Sequence, residues 1–263
     1  MTIKTRKAAS ILPLLACLCS AGNVHSGTIT GIVRFVDSMP KLSPIRVSKD
    51  QDYCGETLQN ETYLADPNGG LKNVVISLDD FPVSTPPDPQ KLNIIENNAC
   101  RYAPRVLAMQ KGERLKVRNT DPKLHIPHSY LQEKTVFMLS LPFRNTILDA
   151  TPKIRDSGIM KLVCDTHAWM LGYVHVFEHQ YFAVTDDRGI FAIGNVPGGT
   201  YTLRAWHEDA GVKTQEITVP EHGELRVPFE FSRKPQTSNA LLHRPTSQRA
   251  LKYSFLRTGT RVF

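Results

Sequence analysis

Gly158-Ile159-Met160-Lys161-Leu162-Val163 runs straight into Cys164-Asp165-Thr166-His167-Ala168-Trp169-Met170. The first six residues read as a short, mostly apolar strand. The next seven place a thiol, an imidazole and a thioether at C-x2-H-x2-M spacing. A loop this compact, at the end of a strand, turns three side chains toward one point. Upstream, Asn119-Thr120-Asp121-Pro122-Lys123-Leu124-His125-Ile126-Pro127-His128 offers two more imidazoles. Two His nitrogens and one Cys sulfur in a trigonal set, with a long axial Met sulfur, form the donor set of a blue-copper electron-transfer site, and the soft sulfur ligands favour copper over hard cations. A buried Cys, a solitary His and a packing Met are each ordinary in a β-sandwich core. Their joint spacing directly after a strand makes a metal site the better reading.

On either side of this stretch, strand signals dominate. Gly27 to Val36 alternates apolar and polar residues, Leu71 to Leu78 contains Val74-Val75-Ile76, and Glu113 to Arg118 alternates before stopping at Asn-Thr-Asp-Pro. Thr135 to Met138, Gly158 to Val163 and Tyr173 to Phe177 follow, then Phe182 to Val184, Ile190 to Ile193, Thr200 to Trp206, Gln215 to Val219 and Leu225 to Phe231. The runs are short, rich in β-branched residues and punctuated by Pro, Gly, Asn and Asp, a pattern that predicts an all-β sandwich architecture. No stretch keeps a helical period; at most a turn or two is expected near Glu56 to Tyr63. Pro82 to Pro89 reads as a loop. The body of about 200 residues has room for two small sandwiches, with the expected break just past Phe177.

The ends have a different character. Lys4, Arg6 and Lys7 precede an apolar run from Ala8 to Cys19, too short to span a bilayer, so residues 1–26 read as a secretory signal cleaved after Ala21 or Ser26. A minority alternative makes Leu14-Leu15-Ala16-Cys17 a lipoprotein signal with Cys17 acylated. The implied location is periplasmic or secreted. Cys17 and Cys19 fall inside that signal, leaving Cys54, Cys100 and Cys164. In an oxidising compartment an odd cysteine needs explaining; Cys54 and Cys100 can pair, which leaves Cys164 free for metal. Residues 233–263 carry seven Lys and Arg and no acid, and the chain as a whole is at +7, so removing the ten basic residues of the two ends leaves −3 for residues 27–232. The basic charge belongs to the ends, and this argues against nucleic acid, which would want a basic folded face. The tail is expected to be disordered and to touch an anionic membrane or an acidic partner.

At His125, Cys164, His167 and Met170 the chain resembles the cupredoxins, its ligand loop looking most like that of amicyanin. Cys54-Gly55-Glu56, Leu71-Lys72-Asn73-Val74-Val75, Cys100-x-Tyr102-x-Pro104 and Cys164-Asp165-x-His167-x-Trp169-Met170 are similar to secreted proteins known as methylamine utilization proteins, a family label that does not establish any handling of methylamine. Thr185 to Leu203, with Asp186-Asp187-Arg188-Gly189 closing a hairpin and Pro197-Gly198-Gly199 turning the chain onward, is similar to a carboxypeptidase regulatory-like domain. Together these resemblances imply a cupredoxin-like Greek-key sandwich over residues 27–177, followed by a small prealbumin-like or carboxypeptidase regulatory-like β-sandwich over 178–232. The chain departs from the relatives at His125-Ile126-Pro127-His128, where they often carry His-Asn-x-His, and at Pro104-Arg105, where they often carry Pro-His.

The resemblance favours His125 over His128 as first ligand, and an i+3 neighbour on a strand faces the other side. His167 is expected to bind copper through one nitrogen while its ring edge reaches the surface, giving electrons an exit where a redox partner docks. Asp165 and Thr166 read as loop holders, Trp169 as packing. His175, His179, His207 and Glu208 lack a third convergent ligand and read as structural or surface residues; Trp206, Tyr181 and Phe182 are assigned to the second sandwich or its junction with the first. The expected function is therefore a copper protein that carries one electron and is not an enzyme, with a non-redox copper-binding or envelope interaction module as the alternative. C-x-x-C-H is lacking, so a c-type haem is excluded, and scattered histidines disfavour a multicopper oxidase.

Overall fold

The computed structural model describes residues 26–79, 81 and 86–233. The expected signal segment, including Cys17 and Cys19, and the basic tail lie outside these residues, Ser26 and Arg233 excepted. The described chain is all-β and forms two sandwiches. No helix among the described residues is long and apolar enough to cross a membrane.

The outer sandwich is built from both ends of the described chain. In one sheet Ser26–Phe35 lies between Ile190–Pro197, antiparallel, and Glu224–Arg226, parallel, with Phe229–Phe231 continuing the parallel edge. The facing sheet runs Phe182–Val184, Val75–Asp79, Gly199–His207, Gly211–Val219. Alternation along Ser26–Phe35 buries Gly27, Ile29, Val33 and Phe35. These meet Ile76, Leu78, Phe191, Ile193, Leu203, Phe229 and Phe231 in one apolar core. Gly31 in this strand has a packing reason: a Cβ there would sit 2.0 Å from the Val227 carbonyl oxygen, the close backbone approach that marks a strand glycine. The Asp186 to Gly189 hairpin forms as read, with Asp186 Oδ1 accepting from the amides of Arg188 and Ile190.

The inner sandwich packs the sheet Lys134–Met138, Pro127–Leu131, Gly158–Cys164, Leu171–Phe177, Val106–Gln110 against the sheet Ile147–Asp149, Arg114–Asn119, Leu92–Asn98, Arg101–Ala103. Met109, Leu115, Val117, Met160, Leu162 and Val174 fill its core. This sandwich is inserted into the outer one. The chain enters it after Val75–Asp79 and leaves it into Phe182–Val184, and those two strands are hydrogen-bonded neighbours, Phe182 opposite Ser77.

The expected boundary at 177/178 is corrected accordingly. Ser26–Phe35 and Val75–Asp79 fall within the expected first sandwich by position, yet they pair with strands of the second. Neither strand carries a local sign of its partner, because the pairing closes across more than a hundred residues. The expected helical turns near Glu56 to Tyr63 are also displaced: the short α-helix is Gln51–Cys54.

The two sandwiches are joined by a buried ion pair. Arg105 donates through Nε and Nη2 to the two oxygens of Glu208 at 2.6 and 2.7 Å, and through Nη1 to the Leu171 carbonyl at 3.2 Å. The side chains are 11% and 5% exposed. Trp206 packs edge-on against Tyr173 and His175, and Phe177 stacks on Phe182. Arg105 thus clamps the strand that follows the C-x2-H-x2-M loop.

Candidate metal centre

Three side chains converge at one end of the inner sandwich. Cys164 ends its strand, and Asp165 N–H donates to the Ile126 carbonyl at 3.0 Å, holding the loop after Cys164 against the segment after His125. The turn then closes through His167 N–H to Cys164 O and Met170 N–H to His167 O. Cys164 Sγ lies 3.8 Å from His125 Nδ1 and 3.8 Å from His167 Nδ1, and the two nitrogens are 3.0 Å apart. Bond lengths of about 2.0–2.1 Å to imidazole and about 2.3 Å to thiolate fit a point between these three atoms. His125 and His167 are fully buried and Cys164 is 3% exposed. Among the described residues this is the group of His, Cys, Asp and Glu able to hold a metal ion, and Cys164 is the free cysteine, because Cys54 and Cys100 form a disulfide.

Each imidazole is oriented from behind. His125 Nε2 is 3.0 Å from Asp121 Oδ2, and His167 Nε2 is 2.9 Å from Asp50 Oδ2. A carboxylate on Nε2 orients each ring so that Nδ1 is the atom offered to a metal, the usual outer support of a metal-bound histidine. Asp121 is itself fixed by Tyr53 Oη–H at 2.9 Å and by the amides of Ala99 and Cys100 at 2.8 and 2.9 Å. Burial works against the Asp121 carboxylate, but these hydrogen bonds, His125 first, hold it below the usual range. The thiol follows the same balance. Burial opposes its ionisation; contacts with His125, His167 and Thr166 and the Ile126 amide donating to the sulfur overcome this and bring Cys164 down to about 5. A thiolate at neutral pH is the form that binds metal.

The residues named from sequence divide clearly. His125, Cys164 and His167 come together. Met170 is 2% exposed and lies in the same buried cluster as Cys164. His128 does not join them: it sits on the strand Pro127–Leu131, its Nδ1 3.2 Å from Asp165 Oδ2 and its Nε2 2.9 Å from Thr135 Oγ1. Thr166 holds the loop as read, its hydroxyl 3.1 Å from Cys164 Sγ and donating to Leu124 O. Trp169 packs as read, its ring 5.0 Å from that of His167 and its Nε1–H on the Cys100 carbonyl.

One expectation is corrected. The His167 ring edge does not reach the surface: the nitrogen expected to face solvent is covered by Asp50. Asp50 carried no signal, standing 117 residues before its partner. Asp121 could have been found, four residues before His125 in the same quoted stretch.

A family model described as polysaccharide lyase family 4, domain II, matches residues 153–226. That span runs across both sandwiches, from the short turn Thr151–Lys153 ahead of the Gly158–Cys164 strand to Glu224–Arg226 at the edge of the outer sheet. No curated protein matches the chain. Among solved structures, the Cu-containing nitrite reductase (NirK) from Thermus scotoductus SA-01 shares 18% identity over 36% of this chain, which spans 24% of the reductase, with a TM-score of 0.30. The purple cupredoxin from Nitrosopumilus maritimus shares 22% identity, with 32% of this chain and 97% of that chain covered and a TM-score of 0.27. A methionine-to-alanine mutant of amicyanin in the Cu(I) state shares 16% over 38% of this chain and 97% of that chain, with a TM-score of 0.28.

Proposed function

We propose that the protein is a cupredoxin-like copper protein that carries one electron between redox partners and performs no catalysis of its own. The observation that supports this most strongly is the trigonal set of two imidazole Nδ1 atoms and one acidified thiol, buried and held from outside by two carboxylates. When bound, copper would supply a couple between Cu(II) and Cu(I) at constant geometry. His125, Cys164 and His167 would hold the metal, with the Met170 thioether from the same buried cluster as a further, weaker donor. The chain's part is to keep the donors fixed in both oxidation states: Asp50 and Asp121 stop the rings from turning, the Ile126 amide donates to the sulfur, and Thr166 packs its hydroxyl against it. Hydrogen bonding around the Cys sulfur and dryness of the site set the potential of such a centre.

The secretory reading, and with it a periplasmic site of action, belongs to this proposal, as do the cupredoxin family for the inner sandwich and a carboxypeptidase regulatory-like character for the outer one. Voltammetry of the copper-loaded protein tests the carrier role. A reversible one-electron wave is expected; metal binding with no reversible wave would leave the second reading, a copper-binding module without electron traffic. The burial of His167 is the observation that favours that alternative.

A further inference from the structure

The corrected position of His167 has a structural cause. Residues 45–58 fold back over the ligand loop as a hairpin with a helical tip. Ile45–Arg46 pairs with Thr57–Leu58, the Val47 amide donates to Glu56 O, and Gln51 Nε2 donates to Val47 O. Val47 and Cys54 pack with Cys100 against Trp169. Three attachments hold the hairpin to the centre. Asp50 accepts from His167, Tyr53 donates to Asp121 behind His125, and Cys54 is bonded to Cys100, whose own amide donates to Asp121. Lys123, two residues before His125, adds ion pairs to Asp50 and to Asp52.

We propose that residues 45–58 are a closed cap over the metal centre and that Asp50 is the positioning residue by which the cap and His167 hold each other. The inference deepens the proposed function, since it rests on metal binding at His125, Cys164 and His167. Metal, thiol reagents and docking partners then reach the centre by way of the cap and not along an exposed imidazole edge. The conformation of Asp50 supports a selected role: it lies at φ 54°, ψ 36°, the left-handed region, which Asp, Asn and Gly tolerate best. Its side chain is one-quarter exposed, so it adds little to the core and can be replaced without emptying it.

The test uses metal-free full chain and zinc, so that neither copper colour nor current enters. Asp50→Gly removes the carboxylate where the backbone accepts glycine; Asp50→Ala removes it where the backbone resists; Asp50→Asn keeps an acceptor oxygen in the same backbone. Labelling of Cys164 by an aromatic disulfide reagent should be slow in the parent, on the order of tenfold or more faster in both removals, and near the parent rate in Asp50→Asn. Zinc affinity should fall about 10–100-fold in the removals. Labelling at the parent rate in Asp50→Gly and Asp50→Ala would overturn the cap, and an Asp50→Asn variant as weak in zinc as Asp50→Ala would overturn the hydrogen-bonded brace. Should the removals fail to fold, the parent itself decides: zinc should slow hydrogen exchange at the Tyr53, Cys54 and Gly55 amides, and unchanged exchange contradicts the coupling. A protein that binds zinc beneath a protected cap but shows no copper-thiolate band would refute the electron-carrier reading and leave the cap standing. A blue protein with a freely reacting thiol would do the reverse.

Discussion

Both sandwiches bury histidines, and they use them in opposite ways. At the metal centre His125 and His167 give Nε2 to a carboxylate and turn Nδ1 inward. In the outer sandwich and at the junction the Nδ1 lone pair is already taken: His179 accepts the Tyr181 amide, and His207 accepts those of Asp209 and Ala210. His175 packs edge-on against Trp206, its Nε2 buried without a partner. The electrostatics divide the same way. Burial, as the largest cause, drives His175 down to about 3 and His207 to about 4. Burial also opposes charge on His125, but Asp121 and Cys164 reverse the balance and raise it. A histidine's residue type and burial therefore do not make it a ligand: among the described residues, His179 and His207 have spent Nδ1 on backbone amides, His175 has no converging donors, and only His125 and His167 meet at a sulfur.

This contrast is most exposed to test at the sulfur. Cys164→Ser should remove the thiolate-to-copper absorption altogether while leaving the fold, because the ligand loop sits at the end of the sandwich; a retained band would refute the ligand set. His207→Ala should do the reverse. It empties a buried site and orphans two amides, a loss of about 2–4 kcal/mol in denaturant melts, with metal affinity unchanged; lost metal binding would show the outer histidines are not merely structural. The third prediction uses pH. His175 and His207 are held neutral in the fold but protonate near 6.5 when unfolded, so the unfolded chain binds more protons between about 4 and 6.5 and stability rises with pH there. Their contribution is complete above about 6.5 and is lost as pH falls toward about 3–4. His175→Phe, which keeps an aromatic ring against Trp206, should flatten that dependence; an unaltered slope between about pH 6.5 and 4.5 would contradict the assignment. The smallest effect belongs to Met170→Leu, which should retain copper and shift the potential, whereas complete loss of metal would make Met170 more than a weak axial ligand.

The metal loop was legible in the sequence because its information is local: strand, Cys, His and Met fall within thirteen residues. The β character was equally plain in strands with clean alternation, such as Arg114–Asn119, which buries every second residue. Leu92–Asn98 and Val106–Gln110 carry no clean strand signal. The first carries Asn93, Glu96, Asn97 and Asn98, and the second buries Val106, Met109 and Gln110 without a two-residue period. Which strands pair was not legible either. Ser26–Phe35 meets Glu224–Arg226 and Phe229–Phe231 in parallel across the whole inserted sandwich, and no local pattern encodes so distant a partner. The cap was missed for the same reason. Asp50 looks like any loop aspartate until the disulfide and Tyr53 bring its hairpin onto the ligand loop.

Whether His125, Cys164 and His167 form one copper-thiolate centre is decided by the visible absorption spectrum of the oxidised protein during a copper titration. An intense thiolate-to-copper band near ~600 nm is expected, saturating at about one equivalent per chain. Copper bound without that band, or a band that needs several equivalents to develop, would mean that the three side chains do not act as one centre.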